Sequence, residues 1–513
     1  MSASSWVSGW ARIKPAAPAV VFEDRVVIWQ DLDRRATEVA RAFVGAGVRP
    51  GDRVACLMHN RVEFIEVFVG ALRAGAVFVP LNALATAPEL AALVADCSAT
   101  AVVTDASFAC VVAGMAGQGT VTTFVSVDGP LNGDHFMLEE LIDAAPSDVV
   151  FPSRTGADTM CIYYTSGTTG QPKGAVVSHD NVRYATLNWL VDLGFWQNDR
   201  FLLNLPLCFT GAMAIVAPAL HGGITIELER AFDAGRTLEL IERDRITFMV
   251  AVPTMAMALM RHPDFGTRDL SSLRMILCGA APVPMMIFEA FTERGIPFIS
   301  SFGMTEVAGG FAMITPVGEA RERLGTAGRP CLYTEARLVF PDGTDTPDGE
   351  VGELLLRGPL VFQGYWDNPA ETAATIVDGW LYTGDLARRE PSGYYWIVDR
   401  KKDSIISGGL NVYPAEIENA VIRHPAVREC AVFGVPDEKW GELVTAVVVV
   451  APGAELTREE LQEHCRSLVA TYRIPRRIEF RDALPRTTSG KVLRRTLRAE
   501  LIGEPAPSAT SAR

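Results

Sequence analysis

The nine cysteines of this 513-residue chain include no C-x-x-C pair and no metal-ligand spacing, which argues against a disulfide framework and a thiolate metal site. Free, buried thiols in a reducing compartment are the expectation. No uncharged apolar run reaches about 18 residues, so no membrane span is expected. Met1-Ser2-Ala3-Ser4-Ser5-Trp6 lacks the basic stretch followed by an apolar stretch that marks a secretory leader, and a cytoplasmic location follows as an expectation. A basic surplus is missing as well: 47 Lys and Arg stand against 61 Asp and Glu, a net charge of −14 that argues against nucleic acid as a partner. Internal repeats are absent. What is present, 49% hydrophobic and 21% charged residues, is the composition of a soluble globular enzyme, and the length demands at least two domains.

Charge is unevenly placed. Residues 400–513 carry 18 Lys and Arg against 15 Asp and Glu, whereas residues 1–399 carry 29 against 46. This is either two ordinary surfaces of different composition or a basic lobe that closes over anionic phosphates. Along the chain, residues 31–48 place Leu32, Ala36, Val39, Ala40 and Phe43 at helical spacing before Gly45 and Gly47. A strand is expected over 52–58, a second helix through 64–68 that ends near Gly75, and a strand over 77–80. Continued alternation predicts an α/β fold of mostly parallel sheets covered by helices. Short β-rich pieces separated by turns such as Pro341-Asp342-Gly343 predict a small β-barrel-like subdomain over about 331–399. A domain boundary is expected at 400–403, after the strand 394–398. A smaller α/β domain over 400–503 and a disordered tail over 504–513 follow.

One segment carries most of the chemistry. Tyr164-Thr165-Ser166-Gly167-Thr168-Thr169-Gly170-Gln171-Pro172-Lys173-Gly174 follows an apolar strand. Glycines let a loop turn its backbone N–H groups toward a polyphosphate. Thr165, Ser166, Thr168 and Thr169 can add hydroxyl donors, and Lys173 adds a charge. It is not a Walker A loop, because no Ser or Thr follows the lysine and the glycine spacing differs. Clusters of Gly, Ser and Thr commonly mark surface turns, but a solvated turn needs neither this density of hydroxyls nor the terminal lysine.

This loop resembles the phosphate loop of the adenylate-forming superfamily, which includes acyl-CoA synthetases, luciferases and peptide-synthetase adenylation domains. Further segments match that family's motifs in order: Gly279-Ala280-Ala281-Pro282, Phe302-Gly303-Met304-Thr305-Glu306, Tyr382-Thr383-Gly384-Asp385, Asp399-Arg400-Lys401-Lys402-Asp403 running on to Gly408-Gly409, and Thr487-Thr488-Ser489-Gly490-Lys491. The resemblance covers nearly the whole chain. It implies an acyl-CoA synthetase that joins a carboxylic acid to ATP as an acyl adenylate, releases pyrophosphate, and passes the acyl group to coenzyme A, with Mg²⁺ as the metal. It further implies that the C-terminal domain is a mobile lid.

The resemblance also implies roles. Glu306 would hold Mg²⁺, and Thr305 would contact the α-phosphate. Gly279, Ala280 and Ala281 would lie close to adenine, with Phe302 as the stacking aromatic in the stretch Ser301-Phe302-Gly303-Met304. Asp385 would bind the ribose hydroxyls with Arg400 in support, and Lys491 would bridge carboxylate and α-phosphate. Lys402 would be the hinge, while Ser407, Gly408 and Gly409 would line the pantetheine passage. A single carboxylate suits Mg²⁺, which keeps waters and takes phosphate oxygens.

The chain departs from the family at Phe209, in Leu205-Pro206-Leu207-Cys208-Phe209-Thr210-Gly211, where many acyl-CoA synthetases carry histidine. A phenyl ring cannot hydrogen-bond a carboxylate or phosphate. An enzyme biased toward thioester formation on pre-made adenylate is therefore one alternative, and a nucleotide-binding protein without turnover is another. A luciferase-like or peptide-synthetase role is a further enzymatic option, although no aspartate stands in 209–214 to bind a substrate ammonium. No arginine precedes the Gly-Met-Thr-Glu motif, where Ser300 and Ser301 stand. The expected acyl-pocket segments (209–214, 252–254, 307–310) are neutral and largely small, favouring an uncharged, bulky apolar acid or else serving tight backbone packing. Oligomeric state is left open, a homodimer included.

Overall fold

The computed structural model describes residues 3–115, 120–131, 133–165, 172–279, 283–486 and 492–504. Two large sheets form the N-terminal domain. One has nine strands, ordered 329–330, 311–314, 298–303, 275–278, 248–251, 200–203, 225–228, 18–22 and 25–28; its six central strands are parallel and its edge strands antiparallel. The other has eight, ordered 364–365, 173–178, 159–165, 77–80, 53–57, 101–104, 123–126 and 136–137.

Strands such as Phe248–Ala251 and Met275–Cys278 are buried at every position. The pleat sends alternate side chains to opposite faces. Phe248, Val250, Met275 and Leu277 enter the core shared with the eight-stranded sheet, while Met249, Ala251, Ile276 and Cys278 enter a second core outside it. The eight-stranded sheet divides the same way: Val54 and Cys56 face the shared core, Ala55 and Leu57 a third. Continuous apolar strands are what two covered faces require.

The shared core also holds the helices Trp29–Gly45, Val62–Ala74, His179–Asp192 and Thr210–Gly222. Residues 212–220 of the last are all buried, as expected of a helix enclosed by other layers. The helix read from residues 31–48 forms at Trp29–Gly45, with Leu32, Ala36, Val39, Ala40 and Phe43 inaccessible. The next runs Val62–Ala74 and is closed by Gly75 in the left-handed conformation. The expected flanking strands form at Arg53–Leu57 and Val77–Pro80.

An antiparallel five-stranded sheet follows, built from 335–339, 351–357, 376–377, 380–389 and 395–400. The last sheet combines 405–407, 410–412, 427–437, 441–450 and 477–480 with the helices Pro414–Val421, Arg458–Arg466 and Arg494–Ile502. It too is covered on both faces: Val432 packs with Ile417 and Ile478, and its neighbour Phe433 packs with Leu497. The molecule is thus an α/β protein with a large N-terminal domain of parallel sheets and helices and a smaller C-terminal domain.

Candidate active site

Parallel strands deliver the motif segments to one side of the nine-stranded sheet. Arg200–Leu203 leads to Phe209, Phe248–Ala251 to Val252-Pro253-Thr254, Met275–Cys278 to Gly279, and Phe298–Gly303 to Thr305 and Glu306. The crevice beyond the carboxyl ends of such strands is where open α/β sheets bind ligands. In the other sheet, Thr159–Thr165 and Lys173–Ser178 form an antiparallel pair with Thr165 opposite Lys173, so the pairing fixes both ends of the hydroxyl-rich loop. The Thr165 hydroxyl donates to the Lys173 carbonyl at 3.4 Å.

Glu306 lies in a single 3-10 turn, Thr305–Val307, and is only 8% exposed. Its Oε1 accepts from the Tyr365 hydroxyl at 2.7 Å, and its carbonyl accepts from the Phe362 amide at 2.9 Å. A buried carboxylate needs such donors to offset the loss of water. Burial, together with the Glu306 charge, pushes the Tyr365 phenol well above its ordinary range, so it remains a donor. The Lys173 ammonium stands 5.4 Å from the centre of the Tyr365 ring and pairs with Glu371. Thr305 shares a 3.0 Å hydrogen bond with Thr210, the first residue of the enclosed helix, directly after Phe209. Thus Lys173, Glu306 and Thr305 are joined to the Phe209 turn by a short series of contacts.

The wall behind Thr305 is tightly built. Gly309 has φ of +66°, and a Cβ there would fall 2.6 Å from Thr210 Cγ2. Ala308 is also left-handed, at φ +58°. The Ser301 hydroxyl is buried and has no hydrogen-bond partner among the described residues; a Cβ on Gly279 would approach it to 3.7 Å. Phe302 itself is 8% exposed and belongs to the shared core, while Gly303 is exposed and Met304 half-buried.

A second group lies on the five-stranded sheet. Asp385 and Arg400 are direct partners across the ladder, and Arg400 Nε meets Asp385 Oδ1 at 2.7 Å. The Asp385 amide donates to Thr383 Oγ1 at 3.1 Å. Lys402 is exposed in the turn that joins this sheet to the C-terminal one. Next to it Asp399 Oδ2 accepts from the Ala415 amide at 2.9 Å, in the first turn of Pro414–Val421, tying the two domains beside the turn. Burial raises the Asp399 carboxyl to about 6. Ser407 is buried at the end of Ile405–Ser407, and Gly408 and Gly409 turn the chain at φ +59° and +80°. Ser166, Gly167, Thr168, Thr169, Gly170, Ala280, Ala281 and Lys491 lie outside the described residues, as does 505–513 of the tail.

Three neighbours were not singled out by sequence reasoning. Tyr365 and Glu371 reach the site from a segment whose only local signal is Asn368-Pro369 ahead of Glu371, a helix-start pattern that the Asn368 side chain fulfils by accepting from the Glu371 amide. Trp440 packs against Gly408, where a Cβ would come within 3.0 Å of its ring, and carries Arg476 at 4.1 Å and Lys439 at 5.2 Å from its centre. Among the described residues no three His, Cys, Asp or Glu side chains gather as a metal cage. Glu306, a buried carboxylate with one oxygen held by Tyr365, fits Mg²⁺ bound through one protein ligand and phosphate oxygens.

Comparison with known proteins identifies the family. Residues 7–366 match the family described as AMP-binding enzyme, and residues 416–491 match the AMP-binding enzyme C-terminal domain. The chain is 40% identical over 496 residues to a feruloyl-CoA synthase from an Amycolatopsis species, covering 96% of this chain and 98% of that one. It is 34% identical over 503 residues to the long-chain-fatty-acid–CoA ligase FadD13 of Mycobacterium tuberculosis, covering 96% and 98%. The crystal structure of the anthranilate CoA ligase AuaEII with anthranoyl-AMP superposes with a TM-score of 0.90 at 29% identity, covering 98% of this chain and 97% of that one. The chain belongs to the AMP-binding, adenylate-forming enzymes and is an ATP-dependent acid–CoA ligase.

Proposed function

We propose that this enzyme activates an apolar, ring-bearing carboxylic acid as its acyl adenylate and transfers it to coenzyme A. The observation that carries the reading is the contact series from Lys173 through Tyr365 to Glu306 and from Thr305 to the Phe209 turn, at the carboxyl ends of parallel strands. In the first half-reaction an oxygen of the substrate carboxylate attacks the α-phosphorus of ATP and pyrophosphate leaves. Lys173 and the hydroxyl-rich loop hold the polyphosphate, Thr305 contacts the α-phosphate, and Lys491 bridges carboxylate and phosphate as charge develops. Glu306 would hold Mg²⁺, which when bound would supply positive charge against the phosphates. Asp385, oriented by Arg400, binds the ribose hydroxyls, and Gly279, Ala280, Ala281, Ser301 and Phe302 take the adenine.

In the second half-reaction the thiolate of coenzyme A attacks the acyl carbonyl and AMP leaves. Rotation about Lys402, at a boundary in 400–403, would exchange Lys491 for Ser407, Gly408 and Gly409 at the site. Trp440, with Arg476 and Lys439 on its ring, offers a π face and two cations beside that segment, a chemistry suited to the adenine and phosphates of coenzyme A.

The ring-bearing substrate is supported by the 40% identity to a feruloyl-CoA synthase and by the neutral 209–214, 252–254 and 307–310 walls. A long-chain fatty acid is the second reading, supported by the 34% identity to FadD13. Incubation with ATP, coenzyme A and a panel of hydroxylated cinnamic acids, arylacetic acids and fatty acids, with products read by mass spectrometry, separates the two. No acyl-CoA from any free acid or supplied adenylate would defeat both.

A further inference from the structure

The segment 362–371 is given no role of its own in the proposed reaction, yet it touches both charged groups that would hold ATP. It is a built feature. Gly364–Tyr365 pairs with the strand that begins at Lys173, with Tyr365 opposite Ala175. The Trp366 amide donates to the Gly174 carbonyl at 2.7 Å, and the Trp366 indole donates to the Asp96 carbonyl at 3.0 Å. The Tyr365 amide is held by Thr372 Oγ1 at 2.8 Å, and Asn368 caps the helix that carries Glu371. Tyr365 therefore has little freedom. Its phenol reaches Glu306 at 2.7 Å while its ring lies under Lys173, and Phe362 holds the backbone of Glu306 and meets the Tyr365 ring edge-on at 4.9 Å.

We propose that Tyr365 is a positioning residue that aims the Glu306 carboxylate at the metal, and that Glu371 occupies Lys173 until a polyphosphate displaces it. The inference rests on the ATP-binding role proposed for this site. A carboxylate has two oxygens, and a phenol fixed on one leaves the other turned to a cation. Partners behind a metal-ligating carboxylate set its orientation and so the metal affinity. The Lys173–Glu371 pair suits exchange: Glu371 is 39% exposed, and an ion pair open to solvent on one side is readily given up for a stronger anion. Both parts act before any chemistry, so they are read by binding.

The test uses the full-length protein and Tyr365→Phe, Tyr365→Leu and Glu371→Gln. Calorimetric titration with ATP in EDTA reads Lys173 and the number of competent sites; electron paramagnetic resonance of Mn²⁺ in the presence of ATP reads Glu306. Tyr365→Phe keeps the ring and should bind Mn²⁺ roughly 10-fold or more weakly with ATP present, while its affinity for metal-free ATP stays at the wild-type value. Tyr365→Leu should weaken both. Glu371→Gln should bind metal-free ATP several-fold more tightly. Wild-type Mn²⁺ affinity in Tyr365→Phe, measured per competent site, would overturn the positioning role. Unchanged or weaker ATP binding by Glu371→Gln would overturn the part given to Glu371. A wild-type protein that binds neither ATP nor Mn²⁺·ATP would instead refute the proposed function.

Discussion

Gly309→Ala is a substitution whose cost the structure ties directly to the candidate site. Gly309 sits at φ +66°, and an alanine there bears the left-handed penalty of about 1–2 kcal/mol. Its Cβ would also stand 2.6 Å from Thr210 Cγ2, 2.9 Å from Thr210 O and 3.0 Å from Thr210 Cβ. Overpacking of this kind costs about 1–3 kcal/mol. The total, about 2–5 kcal/mol, divides between lost stability and displacement of Thr210. Because Thr210 is bonded to Thr305 at 3.0 Å, displacement reaches the residue expected at the α-phosphate. The melting temperature should fall, and adenylation should drop by about 10-fold for each 1.4 kcal/mol that reaches the transition state. Pyrophosphate release with hydroxylamine as acyl acceptor isolates that half-reaction. Thr210→Ser removes the closest atom and keeps the hydroxyl, so the double variant should recover about 0.5–3 kcal/mol relative to additivity. Wild-type melting and pyrophosphate release by Gly309→Ala, or a double variant no better than additive, would refute the close contact.

Lys491→Ala should slow adenylation by about 10²–10³-fold while supplied adenylate still reacts with coenzyme A, and Lys402→Pro should do the reverse; equal loss of both half-reactions in a folded variant would refute either role. Phe209→His should speed adenylation by about 10–100-fold if the missing donor limits it, read as pyrophosphate release; no gain would make Phe209 a simple aromatic gate. Glu227 is buried with Oε2 lacking a hydrogen-bond partner among the described residues and Arg200 3.9 Å away, and burial raises its carboxyl to about 7 from 4.5. Its stabilising protonated form is complete below about pH 4.5 and lost as pH rises through 7, so Glu227→Gln should be the more stable protein at pH 8 by at most about 3 kcal/mol, with the gap closing by pH 4.5 in denaturant titrations. Trp440→Ala should raise the KM for coenzyme A several-fold with adenylation unchanged; an unaltered KM would remove Trp440 from the coenzyme site.

The elements whose cause is local could be read before folding. Helical spacing gave residues 31–48 a buried stripe, and the same five side chains are inaccessible in Trp29–Gly45. Gly75 ends its helix because only the left-handed conformation closes the turn there, and the glycine makes it inexpensive. Strand ends were less legible, since pairing rather than composition decides them. The strand read as 394–398 runs instead from Tyr395 to Arg400, because the ladder continues until Arg400 stands opposite Asp385.

The site divides along the same line. Motif residues announce themselves because the chemistry needs several of them within a few positions: hydroxyls and glycines before Lys173, Thr305 beside Glu306. Their partners carry no such signal. Tyr365 is 59 positions from Glu306, and Glu371 is 198 from Lys173, and each is ordinary in its own neighbourhood. What brings them in is one short antiparallel pairing, Gly364–Tyr365 against Lys173–Ser178, at the edge of the eight-stranded sheet. Slipping that pairing by a single residue would turn Tyr365 to the opposite face and put Gly364 or Trp366 in its place. Neither could donate a hydroxyl to Glu306. The register of a two-residue strand is therefore as much a part of this candidate site as the motifs are, and Gly364 helps to fix it: with φ at +129°, a Cβ there would strike Thr372 at 2.5 Å, the same residue whose hydroxyl holds the Tyr365 amide.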